Sequence, residues 1–141
     1  ATDKEMIAAA KLANVDEIAS SLSDGYETVL AEGGKELSGG QRQAICIARA
    51  FVGDPKIIIM DEPSSAMDSG SEQQLLEKLK DRLVNKTLIL ITHRGTLLSL
   101  VSRVVAFDNG RIVADGPKEK VLQAAKKQPP QKPQEETQDA R

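Results

Sequence analysis

Apolar and polar positions along this chain follow two rhythms, and each change of rhythm marks an element. From Thr2 onward, Met6, Ile7, Ala10 and Ala13 recur at helical spacing. Thr2 with Glu5 three residues later has the form of a capping box, so a helix should open at Thr2-Asp3. A second short helix is expected over 15–21, ending at the Ser23-Asp24-Gly25 turn. Residues 26–36 read as a loop with polar ends. Ala44, Ile45, Ile47, Ala48 and Phe51 predict a helix over 41–52, stopped by Gly53-Asp54-Pro55. Residues 57–60 are an unbroken apolar run, which predicts a strand buried on both faces and hence a parallel sheet. Leu75, Leu76, Leu79 and Leu83 make 71–84 an amphipathic packing helix. A strand follows over 87–92, then a short helix over 97–101 and strands over 103–108 and 111–114. Asn109-Gly110 between those strands is a hairpin signal, because a type I′ turn needs positive φ at both positions. Asp115-Gly116-Pro117 should turn the chain into a last helix over 118–125. From Lys126 onward the residues are polar with no apolar period, and a disordered tail over 126–141 is expected.

Helices alternating with strands give an α/β class. The chain of 141 residues suffices for one domain with a core. A net charge of −2 gives no electrostatic case for nucleic acid or anionic lipid. The single cysteine, Cys46, excludes an intrachain disulfide and fits a reducing compartment; on this helix it is expected to be a packed core thiol. No apolar run reaches transmembrane length and there is no signal-peptide pattern. The first residue is Ala1 rather than Met, so the chain is expected to be part of something longer.

Three stretches carry candidate chemistry. Leu37-Ser38-Gly39-Gly40-Gln41 places a capping serine and two glycines before a helix. The unpaired N–H groups and positive dipole of a helix N-terminus favour an anion, and glycines without Cβ let a phosphate approach the backbone. The same residues also fit an ordinary capped helix after a Gly turn. Asp61 and Glu62 follow the strand over 57–60 at once. Ligands of open α/β sheets bind beyond the carboxyl ends of strands, where one carboxylate can hold Mg²⁺ and its neighbour can deprotonate water. Acids at a strand end turning into solvent are the plain alternative. His93, the one histidine, directly follows the strand over 87–92. It therefore arrives at the same sheet edge, where a neutral or charged imidazole could donate a hydrogen bond to a γ-phosphate.

Taken together, LSGGQRQAICIARAF, KIIIMDEPSSAMD and LILITHR resemble the C-terminal half of the nucleotide-binding domain of ABC transporters. Leu37–Gln41 matches the signature motif letter for letter, residues 57–62 the Walker B strand, residues 64–68 the D-loop (with Met67 where Leu is usual), and His93 the switch histidine. The resemblance covers about residues 2–125. It implies the C-terminal half of a P-loop NTPase fold: part of the helical subdomain, parallel core strands and a C-terminal β-hairpin. Residues 1–36 would be the end of the helical subdomain with its exporter-type loop, and 37–125 would run from the signature to the last helix. Residues 28–34 resemble the loop that touches transmembrane coupling helices, although Ala31 stands where Gly is usual; a solvated Gly-rich loop fits them as well. The resemblance implies ATP and Mg²⁺ as cofactors, with Asp61 on the metal, Glu62 and His93 catalytic, and Ser38, Gly39, Gly40, Gln41 and Asp68 binding nucleotide. It implies a second nucleotide-binding domain and a transmembrane domain as partners, on the cytoplasmic side of the bacterial inner membrane. THRGTLLSLV and GRIVADGPKEKVLQA look most like type I secretion permease/ATPases.

No phosphate-binding Gly-x-x-x-x-Gly-Lys-Ser/Thr string occurs in the sequence; Gly33-Gly34-Lys35 lacks the spacing and is followed by Glu36. The expectation is an ATP-hydrolysing exporter component whose nucleotide grip lies upstream, with this chain alone inactive. A soluble ABC-type ATPase and a non-catalytic module without the P-loop stand as alternatives.

Overall fold

The structure is a computed structural model that describes residues 1–127, and the chain folds as two compact units, the first spanning Ala1–Leu100 and the second starting at Val101. In the first unit α1 (Asp3–Leu12) opens with the expected capping box: the Thr2 hydroxyl accepts from the Glu5 N–H, and the Glu5 carboxylate accepts from the Thr2 N–H. Its inward face differs from the expected one. Ala9, Ala10, Leu12 and Ala13 are buried, whereas Met6 and Ile7 are exposed, because α1 packs through its C-terminal half. The short helix α2 (Val15–Ser20) follows, and residues 25–34 include two single 3₁₀ turns.

The helix α3 (Gly39–Phe51) starts two residues before the expected 41, so both glycines lie inside its first turn. Ala44, Ile47, Ala48 and Phe51 face the core. Cys46 lies on the opposite side of the helix and is exposed, which corrects the expectation of a core thiol. Strand β1 (Ile57–Asp61) pairs in parallel with β2 (Thr87–Ile91), Ile59 opposite Ile89 and Asp61 opposite Ile91. Burial on both faces is not what forms. Ile58 and Met60 are buried at 2% and 5%, while Ile57 and Ile59 are 62% and 65% exposed. The period-2 pleat sends alternate side chains to opposite faces, and α1, α3 and α4 (Ser69–Arg82) build the core against one of them. Leu75 and Leu79 of α4 complete that core. After β2 the expected short helix forms as a 3₁₀ segment, Gly95–Leu100, starting two residues earlier than expected.

The second unit holds the antiparallel hairpin β3 (Arg103–Asp108) and β4 (Arg111–Pro117) and the helix α5 (Lys118–Lys127). Asn109 and Gly110 both take positive φ, as the turn requires. Residues 115–117 extend β4 instead of turning. Asp115 pairs with Val105, and the Arg103 guanidinium donates to both Asp115 carboxylate oxygens at 2.8 and 2.7 Å. Helix α5 continues through Lys127, two residues past the expected end; the rest of the expected tail, 128–141, lies outside the described residues. Among the described residues no helix is long and apolar enough to cross a membrane.

Candidate functional site

At the start of α3 the chain closes a second capping box. The Ser38 hydroxyl accepts from the Gln41 N–H at 3.2 Å, and the Gln41 side-chain oxygen accepts from the Ser38 N–H at 2.8 Å. The two glycines serve a contact that the sequence did not suggest. A Cβ on Gly39 would stand 3.1 Å from the Ala66 methyl, and one on Gly40 would stand 3.1 Å from the Ala66 carbonyl oxygen. Their missing side chains therefore admit the loop 64–68 against the helix, before any phosphate is considered. A groove of about 600 Å³ remains between residues 38–41, the loop 66–68 and α2. It collects Ser38, Gly39, Gly40, Gln41 and Asp68; Asp61, Glu62 and His93 do not line it. Asp68 caps α4. One carboxylate oxygen accepts from the Gly70 and Ser71 N–H groups at 2.9 and 3.0 Å, the other from the Ser71 hydroxyl at 2.6 Å. The Ser71 hydroxyl, then these amides, hold the Asp68 carboxyl below the usual range.

The strand ends form the second cluster. Parallel pairing ends β1 and β2 at the same level, so Asp61-Glu62 and Thr92-His93 emerge side by side. One Glu62 carboxylate oxygen accepts from the His93 backbone N–H at 3.0 Å and lies 2.8 Å from His93 Nδ1. The other accepts from the Thr92 hydroxyl at 3.4 Å. The imidazole contact, the largest influence, holds the Glu62 carboxyl below its ordinary range against a smaller desolvation. An ionised carboxylate only accepts, so Nδ1 carries the proton. In the neutral ring Nε2 is then an acceptor, and only the imidazolium donates outward. This restricts the expectation that either form of His93 could donate to a phosphate. Glu62 itself has φ 44°, a left-handed conformation rarely taken by a residue with a side chain.

Asp61 ends β1, and its carboxylate has no hydrogen-bond or ion-pair partner among the described residues. No group of three metal-ligating side chains converges among them either. A lone free carboxylate fits Mg²⁺, which takes one or two protein carboxylates and completes its shell with water and substrate phosphate.

Two networks escaped sequence reasoning because their members are plain polar residues far apart in the chain. The Gln43 side chain on α3 donates to the Glu62 carbonyl at 2.8 Å and to the Ser65 hydroxyl at 2.9 Å, and accepts from the Ala66 N–H at 3.0 Å. Glu72 of α4, only 5% exposed, accepts from Arg94 at 2.5 Å and from the Thr96 hydroxyl. Burial pushes its carboxyl up, but the hydroxyls of Thr96 and Ser64 and the Arg94 guanidinium together bring it below the usual range. Arg94 also donates to the Ser65 carbonyl at 3.3 Å, so both networks hold the loop 62–66.

The profile of the ABC transporter family matches residues 2–65. Relatives include the leukotoxin export ATP-binding protein LtxB of Aggregatibacter actinomycetemcomitans, 41% identical over 87% of this chain and 17% of its own length. The type I secretion system ATP-binding protein PrsD of Rhizobium meliloti is 42% identical over 86% of this chain and 21% of its own. The ATP-dependent lipid A-core flippase of Desulfotalea psychrophila is 41% identical with the same coverages, 86% and 21%. The chain thus spans about a fifth of these relatives. The solved structure of a bacterial Atm1-family ABC exporter with ATP bound aligns with a TM-score of 0.81 and 33% identity, over 88% of this chain and 22% of that one.

Proposed function

This chain belongs to the ABC transporter family, and we propose that it carries the signature, Walker B, D-loop and switch-histidine portion of the ATP-hydrolysing domain of an exporter. The observation that carries the reading is the Glu62 carboxylate at the end of a core strand, ionised and oriented by His93 and Thr92. In this reading Glu62 takes the proton of a water as that water's oxygen bonds to the γ-phosphorus of ATP and the bond to the leaving ADP oxygen breaks. Asp61 is the Mg²⁺ ligand, and the metal supplies charge neutralisation on the phosphates. His93, when protonated, donates from Nε2 toward the phosphate oxygens while Nδ1 keeps Glu62 aligned.

The 141 residues contain no Gly-x-x-x-x-Gly-Lys-Ser/Thr string, so phosphate grip comes from other residues of the assembled protein. Ser38, Gly39 and Gly40 then act at ATP held by a second nucleotide-binding domain, and the chain alone does not turn ATP over. Asp68 contributes by capping α4 beside that groove. The partners in this reading are that second domain and a transmembrane domain, which sets the site at the cytoplasmic face of a bacterial inner membrane. LtxB and PrsD, whose names specify toxin export and type I secretion, favour polypeptide as the exported cargo.

The test is Glu62→Gln in the intact transporter. Nucleotide binding should persist while turnover falls about 10²–10⁴-fold. Wild-type turnover in that variant would remove Glu62 from the role of base.

A further inference from the structure

Glu62 is held in a conformation that its own chemistry disfavours. A residue with a Cβ at φ 44° carries local strain, which persists only when surrounding contacts over-determine it. Three contacts meet its backbone. Its N–H donates to the Ile91 carbonyl at 2.9 Å, which extends the β1–β2 ladder by one residue. Its carbonyl accepts from the Ser65 N–H at 3.2 Å, closing a tight turn, and from Gln43 at 2.8 Å. The first two contacts come from the strand pair and from the turn itself. Gln43 ties the same peptide to α3, the helix that begins at Gly39.

We propose that Gln43 is a positioning residue: its side-chain amide pins the left-handed Glu62 peptide, and so aims the Glu62 carboxylate at His93, while fixing the adjoining loop at Ser65 and Ala66. The amide is the chemistry this position needs. Both Nε2 hydrogens are used, on the Glu62 carbonyl and the Ser65 hydroxyl, and the oxygen is used on the Ala66 N–H. No other uncharged side chain of that length offers two donors and an acceptor on one planar group. The three contacts span the Pro63-Ser64 corner, with Glu62 on one side and Ser65 and Ala66 on the other, so α3 cannot shift along its axis without moving both Glu62 and Ala66. Ala66 in turn fills the space left by Gly39 and Gly40. Gln43 therefore couples the signature glycines to the geometry of the base.

This inference rests on the reading of Glu62 as general base, but its first readout needs no turnover. His93 is the one histidine of the sequence, so its ring nitrogens are identified directly in a ¹⁵N spectrum of the 141-residue chain. In the wild type the neutral ring should be the Nδ1–H tautomer, as the 2.8 Å contact with Glu62 implies; the side chain is 77% exposed, so the ¹⁵N shifts read the tautomer and not proton exchange. Gln43→Leu removes all three contacts. Gln43→Glu is isosteric and keeps an acceptor for the Ala66 N–H, but sets a carboxylate oxygen against the Glu62 carbonyl. Both variants should lose the preference for the Nδ1–H tautomer while circular dichroism stays native. In the intact transporter, kcat should fall about 10²-fold with the KM for ATP within about twofold, because a misplacement near 1 Å costs on that order and the nucleotide grip is elsewhere. Should Gln43→Leu fail to fold, Gln43→Glu decides. A folded Gln43→Glu with the wild-type ring signal and wild-type kcat overturns the proposal, as does a lowered melting temperature with both unchanged. If Glu62→Gln were fully active while Gln43→Glu still lost the ring signal, the base assignment would fail and the positioning role would stand.

Discussion

The buried Glu72–Arg94 pair should respond asymmetrically to losing either partner. Glu72 is 5% exposed, whereas the Arg94 side chain is 31% exposed and reaches water along one edge. Arg94→Met keeps the aliphatic stem but strands a buried carboxylate with the Thr96 hydroxyl as its remaining side-chain hydrogen bond. Removing one partner of a buried pair costs about 3–5 kcal/mol. Protonation sets a ceiling on that cost. Neutralising an ordinary carboxyl of pKa about 4.3 at pH 7 takes about 3.7 kcal/mol at 1.36 kcal/mol per unit. Arg94→Met should therefore lose about 3 kcal/mol at neutral pH. Glu72→Gln leaves a cation that can turn to solvent and sacrifices a charge-assisted hydrogen bond, a loss of about 1–1.5 kcal/mol. Adding Glu72→Gln to Arg94→Met removes the stranded charge and should recover more than about 1 kcal/mol. Urea denaturation followed by far-ultraviolet circular dichroism, with hydrogen exchange of α4 amides as a local probe, measures all three variants. The reasoning is refuted if Arg94→Met is no worse than Glu72→Gln, or if the double variant is less stable than Arg94→Met.

Two further outcomes are expected. Because the folded Glu72 carboxyl lies below its ordinary value, its contribution is fully present above the unfolded carboxylate pKa, about 4.3, and fades as pH falls through the lower folded value. An acid titration of stability should accordingly fall less steeply in Glu72→Gln than in the wild type, and parallel curves would contradict the linkage. Gly40→Ala should forfeit the helix gain of about 0.5–1 kcal/mol that alanine normally brings, because its Cβ meets the Ala66 carbonyl oxygen at 3.1 Å in a loop tied by Gln43 and Arg94. A clear rise in melting temperature would show that the loop yields freely.

What the sequence disclosed depended on the range of the forces involved. Thr2 with Glu5 and Asn109 with Gly110 are local devices, complete within a few residues, and both form as expected. The parallel sheet was expected from burial on both faces; that ground fails, yet β1 and β2 do pair in parallel, and once they do Glu62 and His93 must emerge together. The apolar run itself was over-read. Ile57 and Ile59 are as hydrophobic as Ile58 and Met60, yet burial depends on what packs on each face, and a strand cannot encode its neighbours. Cys46 fails for a related reason: helical period identifies an inward face only after the stripe through Ala44, Ile47 and Phe51 is chosen over its rivals.

The signature glycines carry the deeper lesson. A pair of glycines at a helix N-terminus reads as an invitation to phosphate, because close backbone approach is what glycine permits. Close approach by Ala66 uses the same permission: a Cβ on either glycine would stand only 3.1 Å from Ala66. Substituting either glycine therefore disturbs the loop that Gln43 and Arg94 hold before it disturbs any ligand. Loss of activity in such a variant cannot by itself assign a phosphate contact to these residues. The two roles separate only where loop position and ligand binding are measured apart, as the His93 ring signal and nucleotide affinity allow.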